Sequence, residues 1–155
     1  MPRIFRSLIL TFGALLFVGL STGCGRSPGV AEQGEPRWNM SLDKAQSLAA
    51  AQKKLILLEF TGSRWCPACK DMEKDVLGTK AFADYAASHL VRVIADFPSP
   101  FYTPAGILDP VLKYHIEAYP SFRVLSPAGH VLAGYEGYQP GGPEAFISRI
   151  ERLRE

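Results

Sequence analysis

A chain of 155 residues has room for one compact domain and a short leader, which excludes a multidomain assembly. Its 17 basic and 15 acidic residues leave a formal charge of +2 with no basic cluster, so the electrostatic footprint of a nucleic-acid-binding protein is absent. Three cysteines are too few for a disulfide scaffold.

Residues 1–7 (MPRIFRS) carry Arg3 and Arg6 and no acid, and an apolar run from Leu8 to Leu20 leads to the small-residue exit Gly23-Cys24. A basic start, a short apolar run and a small-residue exit are the parts of a secretory signal peptide, here residues 1–23. The apolar run is shorter than the roughly 20 residues of a comfortable membrane span. The stretch resembles a bacterial lipoprotein signal, in which the cysteine is diacylated and becomes the first residue of the mature chain. The leucine usually found three places before that cysteine is Ser21 here, with Leu20 one place further back. The resemblance implies a lipid anchor on Cys24; an uncleaved anchor, or secretion with Cys24 idle, are the alternatives. Loss of residues 1–23 removes both arginines and leaves a neutral mature chain. Residues 24–36, with three glycines and two prolines after Cys24, read as a flexible tether.

The domain is expected over residues 37–155. Residues 41–53 predict a helix with Ser41 as cap and Leu42, Ala45, Leu48 and Ala49 on one face. Residues 55–60 (LILLEF) read as a central strand covered on both faces, interrupted by Glu59. A turn at Thr61-Gly62-Ser63 leads through Arg64-Trp65-Cys66-Pro67-Ala68-Cys69-Lys70 into a helix. A helix at 79–88, a strand at 90–95, a polar, proline-rich excursion at 96–106 and a helix at 107–114 follow. The chain ends in a hairpin of strands 120–125 and 131–135 about a turn at 127–130, and a helix at 143–153. This order predicts an α/β fold, a mixed sheet with helices on both faces; parts of it are shared with ferredoxin-like and small flavodoxin-like layouts.

A Cys-x-x-Cys pair between a buried strand and a helix start sets the first sulfur over unpaired amides, which together with the helix dipole favour its thiolate. Pro67 fits the first helical turn and leaves the amides of Ala68 and Cys69 as donors. Cys66 is then the exposed nucleophile and Cys69 the partly buried resolving thiol. The other readings are half of a zinc site, for which only His89, His115 and His130 remain as ligands; haem attachment, which Lys70 disfavours by standing where histidine is needed; and a structural disulfide.

Glu59, a carboxylate in an apolar strand, should have a raised pKa. It reads either as a proton acceptor and donor for Cys69, or as a carboxylate that strand twist brings to solvent or that only pairs with Arg92. Pro120 opens a strand, where trans is the default; in a cis bond it would hold the chain near the cysteines and let its neighbours, Tyr119 among them, offer backbone hydrogen bonds to a peptide. Trp65 reads as a contact surface for a partner or as packing for its loop. Phe97, Phe101, Tyr102, Tyr135 and Tyr138 read mostly as core or rim, with Phe101 and Tyr102 as candidates for a substrate groove.

From about Leu55 to Leu153 the chain resembles the thioredoxin superfamily, especially its small exported members. The matching pieces are LILLEF, TGSRWCPACK, VRVIADFP, KYHIEAYPSF and the hairpin VLSPAGHVLAGY with its helix. The resemblance implies a thioredoxin-like fold, a redox-active Cys66–Cys69 disulfide, Pro120 as a cis-proline opposite it, and Glu59 as the buried acid, although that acid usually lies six residues before the first cysteine and here lies seven. Arg92 falls where the family often has a lysine. The Pro-Ala dipeptide inside the pair differs from the familiar Gly-Pro and Pro-His, while Trp65 and Lys70 look more like the reducing members. The implied protein is a monomeric thiol-disulfide oxidoreductase that needs no dissociable cofactor. It would be lipid-anchored on the periplasmic side of a bacterial membrane, reducing client proteins and served by a membrane redox partner. A disulfide oxidase or isomerase, and a non-catalytic binding or chaperone-like module, are the rivals.

Overall fold

In the computed structural model, which describes residues 36–104, 106 and 109–154, nine of the ten regular elements follow the expected order, and the first, a two-residue strand, is an addition to it. They are β1 (Arg37–Trp38), α1 (Leu42–Gln52), β2 (Leu55–Thr61), α2 (Pro67–Met72), α3 (Lys80–His89), β3 (Leu90–Asp96), α4 (Pro110–Lys113), β4 (Ser121–Leu125), β5 (Val131–Glu136) and α5 (Gly142–Glu151). The expected signal peptide, Cys24 and nearly all of the expected tether lie outside the described residues, as do two residues of the expected helix at 107–114. Among the described residues no helix is long and apolar enough to cross a membrane.

The sheet order is β1-β3-β2-β4-β5. β2 runs parallel to β3 and antiparallel to β4, so the strand that leads to the cysteines lies at the centre. The hairpin β4–β5 is antiparallel, and β5 forms an edge. The apolar residues of β2 alternate between two cores, as the two-residue strand period requires. Ile56, Leu58 and Phe60 pack with Ala45 and Ala49 of α1 and with Tyr114 and Ile116 beyond α4. Leu57 packs on the other face with Met72, Phe82, Ala86, Phe146 and Ile150 from α2, α3 and α5. By the same alternation Glu59 points to the second face, the side on which α2 lies.

Local chemistry sets the helix starts. Ser41 Oγ accepts from the Lys44 amide and Thr79 Oγ1 from the Phe82 amide, each filling one orphan donor of its first turn. α2 does not end at Met72 but continues over Glu73–Leu77 with a wider turn, the Gly78 amide donating to the Glu73 carbonyl at 2.7 Å. Such wide turns occur mostly as single insertions in helices, often at functional sites.

Candidate active site

Cys66 caps α2. Its sulfur is 3.1 Å from the donating Cys69 amide, and Pro67 occupies the first turn where its missing N–H costs nothing. Cys66 and Cys69 are joined in a disulfide with Cα atoms 5.2 Å apart. The Tyr119–Pro120 bond is cis, and Cys66 Sγ lies 3.6 Å from the Tyr119 carbonyl oxygen. The loop before β4 therefore faces the outer sulfur. One expectation needs correction: Cys66 is not exposed. Both cysteines are 4 % accessible, because in the oxidised pair Cys69 Sγ, the Cys69 amide and the Tyr119 carbonyl crowd Cys66 Sγ from three directions.

The loop before the pair is one residue longer than the resemblance leads one to expect, and the structure takes up the extra residue in a pinned turn. The amides of Trp65 and Cys66 both donate to the Gly62 carbonyl, at 3.1 and 2.9 Å. Ser63 is held by Asp96 at the end of β3, its amide donating to Oδ1 at 2.9 Å and its hydroxyl to Oδ2 at 2.8 Å. Arg37 pairs with the same carboxylate at 2.5 Å. Asp96 is thus a site residue that the sequence reading passed over as the start of a polar excursion. Burial alone would raise its pKa, but the hydrogen bonds from Ser63 and the Arg37 charge outweigh burial and hold the carboxyl below its usual range. A depressed carboxyl stabilises the fold above its unfolded pKa, and that contribution fades as the pH falls through the folded value. Asp96→Asn should therefore unfold at lower urea than the parent at pH 7, with a narrower gap at pH 3, below the ordinary carboxylate value. A gap of equal size at both pH values would overturn this account.

Despite the longer spacing, Glu59 and Cys69 both line one cleft of about 470 Å³, with Thr61, Ser63, Lys70, Glu73, Arg92 and Asp96. Glu59 is 5 % accessible and accepts from Arg92 Nη2 at 3.1 Å. Burial raises its pKa; the charge and hydrogen bond of Arg92 pull it back without cancelling the rise, and Glu73 and Asp96 push it further up. Glu59 thus pairs with Arg92 and borders the cleft that also reaches Cys69.

Trp65 is half-buried. Its Nε1 donates to the Phe97 carbonyl at 2.9 Å, and its ring meets Tyr119 edge-on at 5.3 Å. A side chain at Gly62 would run into this ring. Phe97 is buried between Tyr119 and Tyr102, whereas Phe101 is 74 % accessible. Burial, and secondarily the charge of Asp109, push the Tyr119 phenol up to about 12, so it stays protonated at neutral pH. Tyr135 packs on Phe146, and the Tyr138 hydroxyl donates to Asp75 at 3.2 Å. Among the described residues, no three His, Cys, Asp or Glu side chains are grouped as metal ligands.

A disulfide at the first turn of a helix, fed by a central strand and faced by a cis-proline loop on a mixed sheet, places the chain in the thioredoxin-like family, whose model matches residues 37–127. The chain is similar to the disulfide bond reductase DsbH of Chlamydia pneumoniae, 31% identical over an alignment of 102 residues that covers 63% of this chain and 61% of that protein. It thus spans less than two thirds of that relative's length. Among solved structures it is similar to a DsbH oxidoreductase, with a TM-score of 0.63 at 27% identity over 77% of this chain and 85% of the other. The reduced C-terminal domain of DsbD from Neisseria meningitidis shares the fold, with a TM-score of 0.54 at 19% identity over 73% of this chain and 94% of that one.

Proposed function

We propose that the chain is a thiol-disulfide oxidoreductase that reduces disulfides of exported proteins in the bacterial envelope. The observation that carries this reading is the Cys66–Cys69 disulfide at the start of α2 with the Tyr119 carbonyl 3.6 Å from Cys66 Sγ. In the dithiol form the Cys66 thiolate attacks one sulfur of a client disulfide, forming a Cys66–client bond and expelling a client thiolate. Cys69, its proton passed to Glu59, then attacks Cys66 Sγ, closing the Cys66–Cys69 disulfide and releasing the second client thiolate. Two electrons move from the dithiol to the client, and a membrane redox partner restores the dithiol; no dissociable cofactor enters. Trp65, Tyr119 and Pro120 form the edge against which a client backbone docks. The reductase name carried by the DsbH relative supports the direction of flow. Cleavage after residue 23 and acylation of Cys24 would leave the domain on a tether at the periplasmic side of the membrane.

The burial of Cys66 favours a second reading, a non-catalytic module that kept the fold. Equilibration of the chain in dithiothreitol and glutathione buffers separates the readings. The expected reduction potential lies near about −270 mV, that of an electron donor. A value near about −120 mV would make the protein an oxidase dependent on an oxidising partner. A reduced Cys66 inert towards disulfides would leave the binding module.

A further inference from the structure

β4 carries a second charged residue in an otherwise apolar strand. Arg123 is 7 % accessible, and all three nitrogens of its guanidinium donate hydrogen bonds. Nε donates to the Tyr114 carbonyl at 3.0 Å, Nη2 to the His115 carbonyl at 2.9 Å and to Glu136 Oε1 at 2.6 Å, and Nη1 to the Phe122 carbonyl at 2.9 Å. Tyr114 and His115 end α4, where carbonyls lack helical partners. His115 takes a left-handed conformation (φ 51°), uncommon for a residue with a side chain, and its carbonyl is one that Arg123 holds. Gly134 stands opposite Arg123 in the sheet, where an added Cβ would come within 3.2 Å of Nη1, so the glycine leaves room for the guanidinium.

The other end of the same segment is held by the same carboxylate. Ser121 is fully buried, and its hydroxyl lies between the Ala118 carbonyl and Glu136 Oε2, with one proton to share between them. The Gly137 amide donates to the Pro120 carbonyl at 2.7 Å. Glu136, on the exposed strand β5, thus joins two brackets: Arg123 at residues 114–115 and Ser121 at residue 118. Between and just beyond them runs the stretch whose Tyr119 carbonyl faces Cys66 Sγ. None of these three side chains is placed against the cysteines themselves.

We infer that Arg123, Glu136 and Ser121 are positioning residues for the redox site: they fix the 114–120 segment so that its backbone is presented, ready-made, to the extended chain of a protein client. The inference rests on the oxidoreductase reading and adds to it the part of the machinery that separates protein clients from small disulfides. A polypeptide disulfide needs the loop backbone for docking, and a small disulfide needs only the sulfur. Loosening the brackets should therefore weaken saturation by a protein substrate and leave the thiol chemistry alone, as expected when binding alone is lost.

The test follows the reduced full chain by stopped-flow Trp fluorescence, with insulin as the protein disulfide and bis(2-hydroxyethyl) disulfide as the small one. Glu136→Ala, on a half-exposed edge-strand residue, leaves the guanidinium without its anion and Ser121 with only Ala118. The expected result is a rise in the KM for insulin of about tenfold, a change under about twofold in the rate with the small disulfide, and an unaltered reduction potential. Glu136→Gln, which keeps an acceptor for Arg123, should recover most of the loss. Should Glu136→Ala fail to fold by circular dichroism, Arg123→Lys, which loses the fork but keeps the charge, carries the same comparison. An unchanged KM for insulin, or losses of equal size on both substrates, overturns the inference while leaving the oxidoreductase reading intact. A parent chain inert towards both disulfides overturns both.

Discussion

In a Cys69→Ala chain, mixed disulfides on Cys66 should accumulate during turnover and outlast those of the parent by about 10²-fold or more. The size of the effect comes from geometry. The resolving sulfur is one helical turn from the attacking one, with Cα atoms 5.2 Å apart, and an oriented neighbouring group acts as if present at a concentration no free thiol reaches. Once Cys69 is gone, only outside thiols can release the client. The adducts should appear on non-reducing gels of envelope fractions and map to Cys66 by mass spectrometry. A Cys66→Ala chain separates them from adducts on Cys24. Failure of Cys69→Ala to hold any client during turnover in the native compartment, with the parent dithiol demonstrably cycling, would remove the two-step mechanism.

The sequence reveals most of the scaffold because its central parts are strongly patterned. LILLEF and SFRVL are short, largely apolar segments of the kind that strands buried on both faces show, and α1 keeps small and apolar residues on one side where it packs on the sheet. β1 leaves no such trace, since two exposed residues have no period to show and are strands only because Arg37 and Trp38 pair with Asp96 and Ala95. The site is legible to the extent that a residue violates its local pattern. Glu59 stands out as a lone charge in an apolar strand, and Arg123 gives the same signal in the next strand but one of the sheet's sequence. It is easily passed over because all but one of its partners, Glu136, are backbone carbonyls, and carbonyls have no letter in a sequence. The cis state of Tyr119–Pro120 is likewise invisible to residue-by-residue reasoning, for which trans is the default; it comes from resemblance. Whether a buried acid seven residues before Cys66 could share a cleft with Cys69 depends on the Gly62–Cys66 turn and on Asp96, a tertiary contact across 33 residues.

Glu59→Gln should separate chemistry from stability by moving them in opposite directions. In the mixed disulfide, Cys69 must lose a proton within a cleft that Glu59 shares with it, and a positioned acid-base group in such a step contributes about 10²-fold or more. Resolution should slow by that order at neutral pH, while the first attack by Cys66, which caps the helix and needs no proton from Cys69, keeps its rate. Stability moves the other way. The Glu59 pKa is raised in the fold, mainly by burial, so the native state favours the neutral carboxyl. The stability this contributes is complete below the unfolded pKa and is lost as the pH rises through the folded one. Glutamine copies the neutral form at every pH, and Arg92, with 27% of its side chain accessible, can turn to water when its partner is lost. Parent and variant should therefore unfold at similar urea concentrations near pH 4 and diverge towards pH 8 in favour of the variant, by about 1.4 kcal/mol for each unit by which the fold raises the pKa. A variant that resolves mixed disulfides as fast as the parent would reduce Glu59 to the partner of Arg92. A stability gap that does not open with pH would mean that Arg92 balances the buried charge fully, and the cleft would then lack the reluctant acid that proton exchange with Cys69 requires.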